Sequence, residues 1–263
     1  MEYKLYKNKV TLEYNDKKHT YKVNDKIVYG VTSITGVIGT NALMNWAVKL
    51  TKEKTKSEAQ RLGWTKFCKQ LDEVLLTAGR EHYAVSKEAR DLGTRVHARA
   101  EHWFNKKANQ TDMIVDAMKA DTKEEILSNS ALVKFLMTHE FEPIELEGKC
   151  YSKKYGYAGT IDFFGKIDGK LTVLDYKTSK AIYESYYLQA SAYAQAKTEE
   201  GHKIEQTMIV RLGKDGVLEV KVIKDWKKYL DPFLGASSIK NFLMDLKAKN
   251  FDKRSETKKI TKK

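Results

Sequence analysis

The run Leu171-Thr172-Val173-Leu174-Asp175-Tyr176-Lys177-Thr178 limits the possible folds more than any other stretch of the chain. It is β-prone and apolar on both faces until Asp175, the pattern of a central strand covered on both sides. Side chains alternate along a strand, so Asp175 and Lys177 point the same way. A carboxylate and an ammonium then leave the end of a buried strand together. Desolvating two charges is unfavourable even when they pair, so such a pair marks a candidate functional site. The plainer alternative is a partly exposed ion pair at a strand end.

The preceding run, Gly159-Thr160-Ile161-Asp162-Phe163-Phe164, has the same character, with one aspartate among large apolar residues. A hairpin across Gly165–Gly169 brings Asp162 within about two residues of facing Asp175. Two carboxylates that close repel unless a cation lies between them. Oxygen-rich sites of this kind suit Mg²⁺ or Mn²⁺.

Composition narrows the class. The chain has 263 residues, 48 Lys+Arg against 35 Asp+Glu, and a formal charge of +13. A basic surplus favours an anionic partner, nucleic acid first. Two cysteines, Cys68 and Cys150, cannot supply a four-cysteine zinc site or iron–sulfur cluster, and both are expected to be reduced, buried thiols. No apolar run is long enough to span a membrane, and MEYKLYKNKV lacks the apolar core of a signal peptide. A cytoplasmic protein, of a bacterial or phage-infected cell, is expected.

Along the chain, residues 2–31 read as β-hairpins with polar turns at 14–18 and 23–26. Helices are expected over 41–54, from a Ser57 capping box to about Thr77, over 80–106 after a break at Gly79, and over 122–139. Three tightly spaced strands, 143–151, 157–164 and 170–177, suggest an antiparallel meander. A helix over 183–200, strands over 204–212 and 217–223, and a helix over 225–247 follow. The order gives an α/β or α+β fold, a mixed central sheet flanked by helices. We read a single domain over 1–247, made of a β-rich addition (1–35), a helical part (41–140) and a sheet with helices (143–247), then a basic tail over 248–263.

Other candidate residues are weaker alone. His97 and Glu101 lie one turn apart on a helix, as do Gln189 and Tyr193. Taken in order, however, Gly93-x-x-x-His97, Gly159-Thr-Ile-Asp162, Asp175-Tyr-Lys177-Thr and Tyr187-x-Gln189-x-x-x-Tyr193 resemble the RecB-like branch of the PD-(D/E)XK nuclease superfamily. Phage-encoded exonucleases and the mitochondrial genome maintenance exonuclease are of this type. The resemblance covers roughly residues 90–196, with an echo in Gly30-Val31-Thr32-Ser33-Ile34-Thr35. Ile161 stands where the superfamily name has Pro.

The resemblance implies a restriction-endonuclease-like core and a metal-dependent DNA nuclease, an exonuclease acting on single-stranded DNA or DNA ends in replication, recombination or repair. Asp162 and Asp175 would hold one or two Mg²⁺ or Mn²⁺ ions, with His97 and the backbone carbonyl of Tyr176 as further ligands. Lys177 would orient or activate the attacking water, and the neighbouring carboxylates argue that it rests protonated. Gln189 would help position the catalytic strand, Tyr193 would line the site or touch nucleic acid, and Glu101 would support His97. Tyr155 and Tyr157, beside turn residues, are the candidate base-stacking rings. The cysteines that bind a cluster in some relatives are missing, so no iron–sulfur cluster is expected. A non-catalytic nucleic-acid-binding protein on the same scaffold is the alternative.

Overall fold

The structure, a computed structural model, describes residues 1–38 and 41–260. Its contacts divide the chain into two compact units, Met1–Ile38 with Ala100–Lys263, and Gly39–Arg99, where the sequence reading drew one domain.

The second unit is helical. It holds α2 (Asn41–Leu62), α3 (Trp64–Lys69) and most of α4 (Leu71–Lys106). The breaks differ from those expected. Ser57 caps nothing: it lies inside α2, and its hydroxyl donates back to the Lys54 carbonyl. The lysine- and glutamate-rich sequence keeps α2 helical until Gly63, whose φ of +72° ends it. Gly79 does not interrupt α4. Cys68 is exposed, not buried as expected.

The first unit contains one mixed sheet. Strands β1 (Glu2–Leu5), β2 (Val10–Asn15), β3 (Thr20–Val23) and β4 (Lys26–Gly30) form the expected antiparallel meander, followed by the short helix α1 (Val31–Thr35). After α4 come α5 (Gln110–Ala117), which the sequence reading missed, and α6 (Lys123–Met137). Both have side-chain caps: Asn109 accepts from the Asp112 N–H and Thr122 from the Glu125 N–H. Strands β5 (Phe141–Ser152), β6 (Tyr157–Ile167) and β7 (Lys170–Lys177) form the second meander, at the positions expected. The first of these strands begins two residues earlier than expected, so Pro143 lies inside β5, at a register shift. Helix α7 (Glu184–Glu199) leads to β8 (Gln206–Leu212), which runs parallel to β7, and β9 (Leu218–Ile223) closes that edge. The strand order is β1-β2-β3-β4-β6-β7-β8-β9, with β5 on the other side of β6. Helix α8 (Leu230–Ile260) runs past residue 247, so most of the expected basic tail is helical; 261–263 lie outside the described residues. Among the described residues no helix is long and apolar enough to cross a membrane.

Two features hold the sheet against its helices. Lys197 of α7 is fully buried, with its ammonium 2.7 Å from Glu145 of β5 and 3.0 Å from Glu200. Burial works against its charge, but the two carboxylates outweigh it and its pKa is raised. Just before β5, the Glu140 N–H donates at 2.9 Å to Asp168 in the β6–β7 turn, whose carboxylate also lies 2.7 Å from His139 Nδ1. The backbone donor, then His139, lowers the Asp168 pKa. A carboxyl with a lowered folded pKa contributes stability above its unfolded pKa and loses it as pH falls through the folded one. Asp168→Asn is therefore expected to lower stability at pH 6 by about 0.5–1 kcal/mol, given solvent screening of this half-exposed group. The difference should shrink towards pH 2–3. Urea unfolding of both proteins at the two pH values checks this.

Candidate active site

The site lies where β6 and β7 part. Their ladder runs from Ile167↔Lys170 to Phe163↔Leu174 and stops. On the same edge of β6, β4 pairs only at Tyr157 and Ala158. Residues 159–162 thus carry no ladder on that edge among the described residues. Continued by count, the β6–β7 register sets Asp162 opposite Asp175, closer than the sequence reading required. In place of the missing rung, the Asp162 carboxylate accepts the Tyr176 N–H at 2.6 Å.

The other edge of β6 explains why Asp162 turns out of line. Ile161 and Phe164 both join the core beneath α7, although a separation of three places residues on opposite faces of a regular strand. On β5, Glu145 meets Lys197 of α7 and Cys150 joins that same core, again an odd separation. Both strands therefore kink between these points. The ladder passes from Leu146↔Phe163 to Gly148↔Ile161, leaving Glu147 opposite Asp162 at the kinked rung. Glu147 is left-handed, with φ +48°. Its carboxylate and that of Asp162 offer ligand atoms within 4.8 Å of each other. The sequence reading missed Glu147.

Asp175 and Lys177 leave β7 on one side, as alternation requires, and their side chains are 4% and 17% exposed. They form an ion pair at 2.5 Å. Burial opposes the Lys177 charge, yet Asp175 and Asp162 outweigh it and its pKa is raised, so it is an ammonium at physiological pH. The Lys177 Nζ also lies 4.9 Å from the Tyr186 ring centre. Gln189 donates to the Tyr193 hydroxyl at 2.8 Å and to Thr32 Oγ1 at 3.3 Å, tying α7 to α1. This gives the Gly30–Thr35 segment a physical role that its sequence alone did not reveal.

Other expected residues lie elsewhere. Tyr157 is fully buried with its hydroxyl donating to the Ala192 carbonyl, and Tyr193 is buried as well, so neither presents a ring face to nucleic acid. Their place beside turn residues and on a polar helical face hid the packing above them. Tyr155 is half-buried and stacks on Tyr157. The exposed ring beside Lys177 and Tyr186 is Tyr183, packed edge-on against Tyr186. Tyr176 has a buried ring against Phe135, and its N–H is the group seen to engage Asp162. Glu101 is half-buried on α4 in the first unit, whereas His97 lies in the second unit on the same continuous helix. Within the first unit, Glu147 and Asp162 form a pair of carboxylates able to share a metal ion.

No family model and no curated protein matches the chain. Among solved structures it is similar to one described as the crystal structure of SSO0001, at 16% identity and a TM-score of 0.30, over 56% of this chain and 71% of that one. A likeness this distant carries no argument about this chain.

Gly159 has a steric reason for being glycine. A Cβ there would run into the Tyr193 ring and crowd Val31. Gly159→Ala is expected to cost about 1–3 kcal/mol by overpacking, read by urea unfolding. Unchanged stability would mean that Tyr193 moves freely aside.

Proposed function

We propose that the chain is a Mg²⁺- or Mn²⁺-dependent deoxyribonuclease with a RecB-like PD-(D/E)XK core. Its substrates are single-stranded DNA or DNA ends, in replication, recombination or repair. The observation that carries this reading is the gathering of Asp162, Asp175 and Lys177 at one gap in the sheet. Desolvating carboxylates and an ammonium at a strand end is costly for structure alone, and metal-assisted phosphoryl chemistry uses carboxylates to hold its cations.

The donor set fits a hard cation. Glu147 and Asp162 would supply oxygens, and the resemblance adds Asp175 as a further oxygen donor and His97 as an imidazole. When bound, the ion lowers the pKa of a coordinated water and draws charge from the phosphate oxygens. Asp175 holds the Lys177 ammonium at a fixed place, where it can donate to the nucleophilic water or to a phosphate oxygen as charge builds. Lys177 would orient or activate the attacking water, or neutralise charge that develops on a phosphate oxygen. Gln189 and Tyr193 keep α7 against the strands that bear these groups. Tyr183 offers an exposed ring for an unpaired base, a contact worth about 1–3 kcal/mol. The formal charge of +13 supports backbone binding that weakens with salt.

The test is cleavage of 5′- and 3′-labelled single- and double-stranded DNA with Mg²⁺, Mn²⁺ or EDTA. Metal-dependent laddering or end-nucleotide release is expected. Asp162→Ala and Asp175→Ala should abolish cleavage, and Lys177→Ala should slow it about 10²–10⁴-fold, all with DNA binding retained. Normal cleavage by these variants would refute the site. Tight, salt-sensitive binding without cleavage in any metal would favour the nucleic-acid-binding alternative.

The C-terminal end of α8 bears on binding, not chemistry. Removing residues 248–263 should weaken DNA binding modestly and flatten its salt dependence. An unchanged slope in a salt titration would show that this segment does not touch phosphate.

A further inference from the structure

Lys149 is buried, 8% exposed. It lies two residues beyond Glu147 on β5, opposite Thr160 of β6. Its ammonium donates to the backbone carbonyl of Glu147 at 3.0 Å. From the other side it is covered by two rings of the N-terminal meander: its Nζ is 4.9 Å from the centre of the Tyr14 ring and 5.6 Å from that of Tyr3. Tyr14 packs in turn on Tyr21, whose hydroxyl is hydrogen-bonded to Thr160.

The carbonyl that Lys149 holds belongs to the residue at φ +48°, where the strand kinks and turns the Glu147 carboxylate towards Asp162. A left-handed glutamate is unfavourable unless its surroundings fix it. Lys149 supplies that constraint, and the tyrosines of β1 and β2 keep Lys149 in place through cation–π contact. We propose that Lys149 is a positioning residue, which fixes the left-handed turn at Glu147 and so sets this ligand's carboxylate for the cation. The N-terminal meander thereby becomes part of the metal site without touching it. This rests on the metal reading given above.

The sign of the effect separates positioning from simple electrostatics. Removing a nearby positive charge should by itself strengthen binding of a cation. Loss of a positioning residue should weaken it, and changes to groups that orient metal ligands typically weaken binding about 10–100-fold. The test is Mn²⁺ binding to the full chain without DNA, by calorimetry with MnCl₂, together with thermal unfolding by circular dichroism. Lys149→Met keeps the apolar stem and is expected to bind Mn²⁺ about 10–100-fold more weakly than wild type while still unfolding cooperatively. Lys149→Arg should recover most of the affinity. If Lys149→Met does not fold, Tyr14→Leu, which removes the ring above the ammonium, should show the same direction of change. Wild-type or tighter Mn²⁺ affinity in Lys149→Met, or in Tyr14→Leu where the first variant fails to fold, would overturn the inference. Asp162→Asn serves as the separate control. If it binds Mn²⁺ as wild type does, or if wild type binds none, the metal reading itself fails and the inference with it.

Discussion

Two carboxylates, Asp162 and Asp175, each lie one residue beyond the last rung of the β6–β7 ladder, Phe163↔Leu174. Like charges that close are tolerated only with compensation. Part of it is on view: Asp162 takes the Tyr176 N–H, and Asp175 takes the Lys177 ammonium. The sheet around the pair is arranged to keep it there. β4 and β7 each leave β6 on either side of residues 159–162, and the kink of β5 and β6 sets Glu147 against Asp162.

Helix α7 packs on the face of the sheet that bears Asp175 and Lys177. The buried Lys197 joins α7 to Glu145 on β5, and Gln189 joins α7 to Thr32 on α1. Gly159 lets the Tyr193 ring lie directly against β6. A helix held at both ends in this way leaves little freedom for Asp175 and Lys177, which lie on the strand beneath it. Rigidity of this kind is what a preorganised electrostatic site needs, because donors that must reorganise lose most of their effect.

Much of this was legible in the sequence where a short-range rule applied. Alternation along β7 placed Asp175 and Lys177 together, and counting back from the turn brought Asp162 to them. The meanders, α6, α7, β8 and β9 followed from turn clusters and apolar spacing. What was hidden depended on contacts between distant residues. Glu147 sits in Glu145-Leu146-Glu147-Gly148, which reads as an ordinary strand, and nothing local announces a left-handed glutamate. Tyr157 looked exposed beside its turn because the overlying helix is 35 residues away in sequence, at Ala192. By residue type alone Ser57 and Gly79 mark helix boundaries, while the propensity of their neighbours carries both helices through. The lysine-rich stretch after residue 247 reads as solvated tail by charge, yet its residues are good helix formers.

The proposed function puts a cation at the gap between β6 and β7, held by Asp162 and Asp175. Anomalous diffraction from crystals soaked in MnCl₂ tests it most directly, since manganese marks its own position. A peak within coordination distance of both carboxylates is the expected result. Full Mn²⁺ occupancy elsewhere, or no peak between Asp162 and Asp175 at saturating metal, would contradict it.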